Sequence, residues 1–210
     1  MAQYFSLHPE SPQPRLVRQA AEIMRTGGLV AFPTDSAYAL GGITGDADLL
    51  QRIRRIRGVD ERHHFTIMCR DLSEIATYAR VDNSQYRLLK ATTPGPYTFI
   101  LEGTRELPRR LLHPKRKTIG LRVPEHPVVA ALLAELDEPI LTSTLLLPGE
   151  SLPLTDAEEI RSMLEKQVDL VIEAGFCGPE ATTVIDLTSG SPTLVRAGRG
   201  DLAPFGLEAD

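Results

Sequence analysis

Leu29-Val-Ala-Phe-Pro-Thr-Asp-Ser-Ala-Tyr-Ala-Leu-Gly-Gly42 is followed within ten residues by a run containing Arg52, Arg54, Arg55 and Arg57. Leu29 to Phe32 is a short apolar run of the kind that forms a buried strand. Pro33 ends it, so Thr34, Asp35, Ser36 and Tyr38 are delivered to the strand tip as hydroxyls and a carboxylate. With guanidinium groups close by in sequence, the pattern suits a small polar substrate held beside a phosphate.

Outward from this stretch, strands and helices alternate. Ser11 with Pro12 reads as the start of a helix that carries Leu16, Ala20 and Ile23 and stops at Gly27-Gly28. Asp46 to Arg57 reads as a second helix with Leu49, Leu50, Ile53 and Ile56 inward and Gly58 as its stop. Further strands are expected over 65–69, 97–101, 118–123, 140–147, 168–173, 183–187 and 193–196. Further helices are expected from the capping box at Asp71-x-x-Glu74, over 83–91, over 127–136, and from Thr155 or Asp156 to Glu165. Crossover-length helices mixed with short links such as Ser189-Gly190-Ser191 predict an α/β fold, with helices on a mixed parallel and antiparallel sheet.

The 210 residues show no break in composition, so one domain over 1–210 is expected, with its core at about 11–200 and a loose tail from Gly200. No apolar run reaches membrane-spanning length and the N-terminus lacks a secretory pattern, which predicts a soluble, cytoplasmic protein with no membrane partner. Cys69 and Cys177 are far apart and read as buried thiols. Adjacent His63 and His64 do not converge well on one ion, so no metal site is expected. Net charge is −5, yet eleven of the 23 lysines and arginines fall in two stretches, 52–62 and 105–117. A local positive surface on an acidic chain could hold a nucleotide or an RNA backbone; the alternative is two solvated basic faces.

Five segments lie in an order that resembles the YrdC family of threonylcarbamoyl-AMP synthases, with its YciO-type subgroup as the nearer pattern. They are Pro33-Thr34-Asp35-Ser36-x-Tyr38-x-Leu40-Gly41, Arg55-Ile56-Arg57, Pro94-Gly95-Pro96-x-Thr98, Gly120-Leu121-Arg122-Val123-Pro124, and Thr183-Val184-Ile185-Asp186 ahead of Arg196-x-Gly198. The resemblance covers almost the whole chain. It implies a single domain with a twisted mixed sheet, flanking helices and a large basic cavity. It also implies condensation of L-threonine, bicarbonate and ATP, with magnesium as part of the nucleotide substrate and no tightly bound cofactor, to threonylcarbamoyl-AMP and pyrophosphate for tRNA modification.

By the same resemblance, Arg55 and Arg57 are the catalytic and nucleotide-binding cations, with Thr144 and Arg196 also at the nucleotide. Thr34, Tyr38, Thr118, Arg122 and Ser143 are placed at the amino-acid substrate. Arg122 and Arg196 sit in otherwise apolar strands and need an anion or a carboxylate such as Asp186 nearby. Two departures from the family pattern bear on activity. Arg55 stands where the family has lysine, and a planar fork does not replace a compact ammonium. Leu146 stands where the Ser-x-Asn pair has its asparagine, which removes a polar nucleotide contact and implies a weakened paralogue. The alternative is a module that binds tRNA or double-stranded RNA by shape and charge without synthesis.

Overall fold

The computed structural model describes residues 1–208, and within them ten strands form one sheet flanked by six helices. The strands are β1 (Gln3–Ser6), β2 (Val30–Phe32), β3 (Ala39–Ile43), β4 (Thr66–Met68), β5 (Tyr97–Glu102), β6 (Thr118–Arg122), β7 (Ile140–Thr144), β8 (Leu170–Glu173), β9 (Thr183–Asp186) and β10 (Thr193–Arg196). The helices are α1 (Pro14–Arg25), α2 (Ala47–Arg57), α3 (Leu72–Tyr78), α4 (Asn83–Thr92), α5 (Pro127–Leu136) and α6 (Ala157–Leu164). Sheet order is β1-β8-β2-β3-β7-β4-β6-β5-β9-β10. Four pairs are parallel (β1/β8, β2/β8, β4/β6, β5/β9) and the other five antiparallel, which makes the α/β sheet mixed as its connections predict.

Local chemistry sets most helix ends. Asp46 accepts from the Asp48 and Leu49 amides at the start of α2, and Gly58 closes it in the left-handed region at φ 62°. Asp46→Ala is expected to cost about 1 kcal/mol of unfolding free energy, read from urea denaturation by circular dichroism. Helix α1 begins at Gln13-Pro14 rather than Ser11-Pro12, because Ser11 belongs to a preceding turn. There His8 Nδ1 accepts from the Ser11 amide at 3.1 Å and the Gln13 side chain accepts from the His8 amide at 3.1 Å. Asp71 caps α3, but Glu74 reaches back to the Arg70 amide, so the reciprocal box is instead Asp82 with Gln85 on α4.

Two apolar layers lie against the sheet. Val17, Ala20, Ala21 and Met24 of α1 pack with Val128, Val129, Leu132 and Leu133 of α5 over Val30, Phe32, Ile140, Leu170 and Ile172. On the other side α2, α4 and α6 bring Leu49, Ile53, Leu89 and Ile160 onto Ala31, Ile67, Phe99, Ile119, Leu121 and Ile185. Strands β4, β5, β6 and β9 therefore have one apolar face, while Thr66, Thr98, Gly120, Arg122 and Val184 project to the opposite one. The α1 and α5 layer reaches this face at Met68, and the cavity lies over the neighbouring part of it, with Thr98, Gly120 and Thr142 buried in its floor.

The ends of the chain depart from expectation. Strand β1 lies outside the expected 11–200 core, yet it pairs along its length with β8, and Ala2 is buried. In the segment expected to be loose, Phe205 packs against Tyr97 and Phe99 with ring centroids 5.5 and 6.0 Å apart, and Tyr97 donates to the Asp201 carbonyl at 3.0 Å. Gly200 lies against the Tyr97 ring so closely that a Cβ would fall 2.3 Å from it.

Candidate functional site

The polar sheet face opens into a cavity of about 530 Å³, in the range that holds a nucleotide-sized ligand. The Ser36–Ala39 stretch after β2 forms one wall, Thr66, Met68, Thr98, Ile100, Gly120 and Thr142 the floor, and Thr182, Val195 and Arg196 the far rim. Arg57 enters from the last turn of α2, and Arg62, His63 and His64 from the loop that follows it.

Five arginines border this space, Arg57, Arg62, Arg116, Arg122 and Arg196, and among the described residues no aspartate or glutamate does. Two of the five are neutralised from behind. Arg122, on the last residue of β6, pairs with Asp35, whose other carboxylate oxygen accepts from the Glu125 amide at 2.8 Å. Arg116 pairs with Asp186 and donates to the Thr188 hydroxyl at 3.2 Å. Burial alone would raise the Asp186 carboxyl, but its hydrogen bonds from Thr188 and Arg116 hold it below the usual range.

Arg57, Arg62 and Arg196 make no ion pair among the described residues. Arg57 Nη1 donates to the carbonyls of Thr144 at 2.8 Å and Leu146 at 3.1 Å, and its buried Nε has no partner. Arg196 donates through Nε and Nη2 to the Thr182 carbonyl at 3.1 and 2.9 Å. Burial lowers the pKa of both, helped by Arg196 beside Arg57 and by Arg122 beside Arg196. Crowded, partly desolvated guanidinium groups with no acid among them are stabilised by a bound anion.

The structure sorts the residues singled out from sequence. Arg57, Arg122, Ser143, Thr144 and Arg196 border the cavity together. Arg55 does not; it is exposed and borders a separate surface groove with Gln51, Asp60 and Glu61. Two residues apart on a helix is about 200° of rotation, so Arg55 and Arg57 point to opposite sides. Thr34 is buried with its hydroxyl donating to the Ala37 carbonyl at 2.7 Å and accepting from the Ser36 amide at 3.1 Å, which makes it a loop cap. Tyr38 borders the cavity, but its ring is buried and its hydroxyl donates to the Ile172 carbonyl at 3.1 Å. Thr118 lies on the floor side of β6, outside the cavity lining, with its hydroxyl buried and unpartnered.

Partners differ too. Asp35, not Asp186, neutralises Arg122, and Arg196 rests on a carbonyl. Strand β7 stops at Thr144, short of the expected 147: the Leu145 amide makes the last bond of the β3/β7 ladder, to the Tyr38 carbonyl at 2.8 Å, and the Leu146 amide then folds back to the Thr144 carbonyl at 2.9 Å. Leu146 does not border the cavity. Of the 105–117 run only Arg116 faces the cavity, whereas Arg105, Arg109 and Lys117 line a groove elsewhere with Arg80 and Glu102.

Sequence reasoning passed over His63 and His64 as cavity residues, and with them the hydroxyls of Thr98, Thr142 and Thr182. His63 Nε2 lies 3.1 Å from Ser143 Oγ, and its ring meets Phe65 edge-on at 5.3 Å. Burial, then Arg57, His64 and Arg54, push its pKa down to about 4. His64 stacks on His113 with centroids 4.7 Å apart, and burial with His113 lowers its pKa as well. The alternation Thr66/Met68 against Ile67, and Thr98/Ile100 against Phe99, was the available signal for a polar sheet face.

A protein-family model of the Sua5/YciO/YrdC domain, described as telomere recombination, matches residues 22–198. The YciO protein of Escherichia coli (strain K12) is 56% identical over 205 residues, 98% of this chain and 100% of that one. Its crystal structure superposes with a TM-score of 0.95 over 98% of this chain and 100% of that one. The threonylcarbamoyl-AMP synthase of Halorhodospira halophila is 30% identical over 178 residues, 84% of this chain and 92% of the relative. The crystal structure of P. abyssi Sua5 complexed with L-threonine gives a TM-score of 0.85 at 26% identity, over 93% of this chain and 57% of that one. Among the described residues no helix is long and apolar enough to cross a membrane.

Proposed function

Because the chain belongs to the Sua5/YciO/YrdC family, we propose that its cavity binds ATP with its magnesium, L-threonine and bicarbonate and forms threonylcarbamoyl-AMP and pyrophosphate. The observation that carries this reading is the set Arg57, Arg62 and Arg196, which, among the described residues, face a cavity without a carboxylate and have no acid partner of their own. Attack on the α-phosphorus accumulates charge on its non-bridging oxygens, and positioned cations stabilise that charge without covalent participation. Arg57 and Arg196 then hold phosphate oxygens. Arg122, anchored by Asp35, takes the threonine carboxylate, with Ser36, Thr142 and Thr182 in reach of its polar groups.

The departures at Arg55 and Leu146 act differently in this reading. Arg55 contributes no contact, since it points away from the cavity. The turn at Leu146 is held by its backbone, through Arg57, rather than by a side-chain amide. A synthase with fewer nucleotide contacts follows, so turnover below that of a relative with the full motif is expected.

The test is direct. Protein incubated with magnesium, ATP, L-threonine and bicarbonate should release pyrophosphate and form threonylcarbamoyl-AMP, detected by mass spectrometry, only when all three substrates are present. Protein that binds ATP by calorimetry yet yields neither product would sink the synthase reading. Salt-dependent binding of tRNA in that same preparation would turn attention to Arg105 and Arg109.

A further inference from the structure

We propose that His63, its ring fixed by Ser143 and Phe65, is the group in this cavity that accepts a proton when the anionic substrate is bound. The proposal rests on the synthase reading for its reaction, though not for its first measurement. Forming a carbamate from a threonine ammonium and bicarbonate yields the carbamate, one water and one proton. The carbamate oxygen then attacks the α-phosphorus, a new P–O bond forms, and the bond to pyrophosphate breaks. One proton has to be taken up for the first step to proceed.

The cavity offers few acceptors. Its arginines stay protonated, no carboxylate borders it among the described residues, and the Tyr38 hydroxyl is engaged with Ile172. The two histidines remain. A proton on His64 would place a cation against the stacked His113 ring and beside Arg116, with Asp186 in opposition. His63 has a hydroxyl instead: with Nε2–H donating to Ser143 Oγ at 3.1 Å, Nδ1 is left as the basic nitrogen.

Without an anion against it His63 is neutral at pH 7, because burial and the field of Arg57, His64 and Arg54 outweigh the opposing charge of Asp60. A triphosphate brought against Arg57 offsets that field, so binding raises the proton affinity of His63 and readies it for the step it serves. Substrate binding and base strength are thereby coupled.

His63 ring signals, assigned with His63→Gln, are to be followed by NMR across pH with and without saturating ATP. The expected midpoint is about 4 without nucleotide, with an upward shift of about one unit or more when ATP is bound. In turnover, His63→Gln should lower kcat about 100-fold or more while the KM for ATP stays within about threefold, and should remove the acidic limb of the pH profile. Ser143→Ala should displace that limb and Ser143→Thr restore it, which a purely structural serine would not do. An unshifted midpoint with ATP bound, or full kcat in His63→Gln, overturns the proposal. If wild-type protein binds ATP without making product, the synthase reading fails, and the NMR shift still decides whether His63 takes up a proton with the anion.

Discussion

Asp35→Ala should lower the unfolding free energy by about 3–5 kcal/mol, the loss expected when one partner of a buried ion pair is removed and the other charge is left behind. The Arg122 side chain is only 7% exposed and that of Asp35 8%, so solvent screens neither. Without the carboxylate, Arg122 retains Ser36 Oγ at 3.4 Å, and its Nε is already unpartnered. The Glu125 amide also loses its acceptor. Urea denaturation followed by circular dichroism measures the loss. Replacing both partners, Asp35→Ala with Arg122→Met, should recover most of it, because the cost lies in the orphaned cation and not in the missing contact. A loss below about 1 kcal/mol for Asp35→Ala alone would mean that water in the cavity solvates Arg122 adequately.

This pair also shows where sequence reading reaches and where it stops. The sequence presents Asp35 as a carboxylate at a strand tip and Arg122 as a cation that needs an anion or a carboxylate such as Asp186. Nothing local distinguishes the two carboxylates. The choice is made by sheet order, which brings the end of β6 beside the loop after β2 and sends Asp186 to Arg116. Helices fared better, since their ends are written in single residues: Asp46 and Gly58 around α2, Pro127 at the start of α5. Strand β3 escaped notice because Gly41 and Gly42 break its apolar alternation. Packing demands Gly41, as a Cβ there would lie 2.8 Å from the Leu141 carbonyl.

The cavity was legible as chemistry more than as geometry. Order of motifs put Arg55 and Arg57 together, whereas helical phase separates them. Ile53 and Ile56 define the buried stripe of α2, Arg57 follows Ile53 by four residues, and Arg55 faces away. That phase could have been read from the sequence. The end of β7 could not, because Tyr38 and Arg57 fix it from distant parts of the chain. In the sequence His63 reads only as a candidate metal ligand beside His64, because its proximity to Ser143, 80 positions on, is a property of the fold.

Arg57→Ala is therefore expected to weaken ATP binding by about 10- to 100-fold, the worth of one charge-assisted contact, while Arg55→Ala leaves it within about twofold. The contrast matters more than either value. A family reading by motif alone assigns the two arginines equal weight, and a general loss of positive charge would affect them alike, since both carry the same formal charge on one helix. Only the geometry separates them: Arg57 borders the cavity and ties the carbonyls of Thr144 and Leu146, and Arg55 lies on an exposed groove. Removal of Arg57 has a second consequence, because the Leu146 carbonyl loses its donor, the Thr144 carbonyl is left with the Leu146 amide, and the turn that ends β7 loosens. Arg57→Lys should restore part of the ATP affinity through charge, but a single ammonium cannot reproduce the guanidinium's planar fork. Calorimetry with ATP, with circular dichroism to confirm folding, measures all three variants. Equal losses for Arg55→Ala and Arg57→Ala would indicate that nucleotide binds outside this cavity, and an unchanged affinity in Arg57→Ala would remove this guanidinium from the phosphate site.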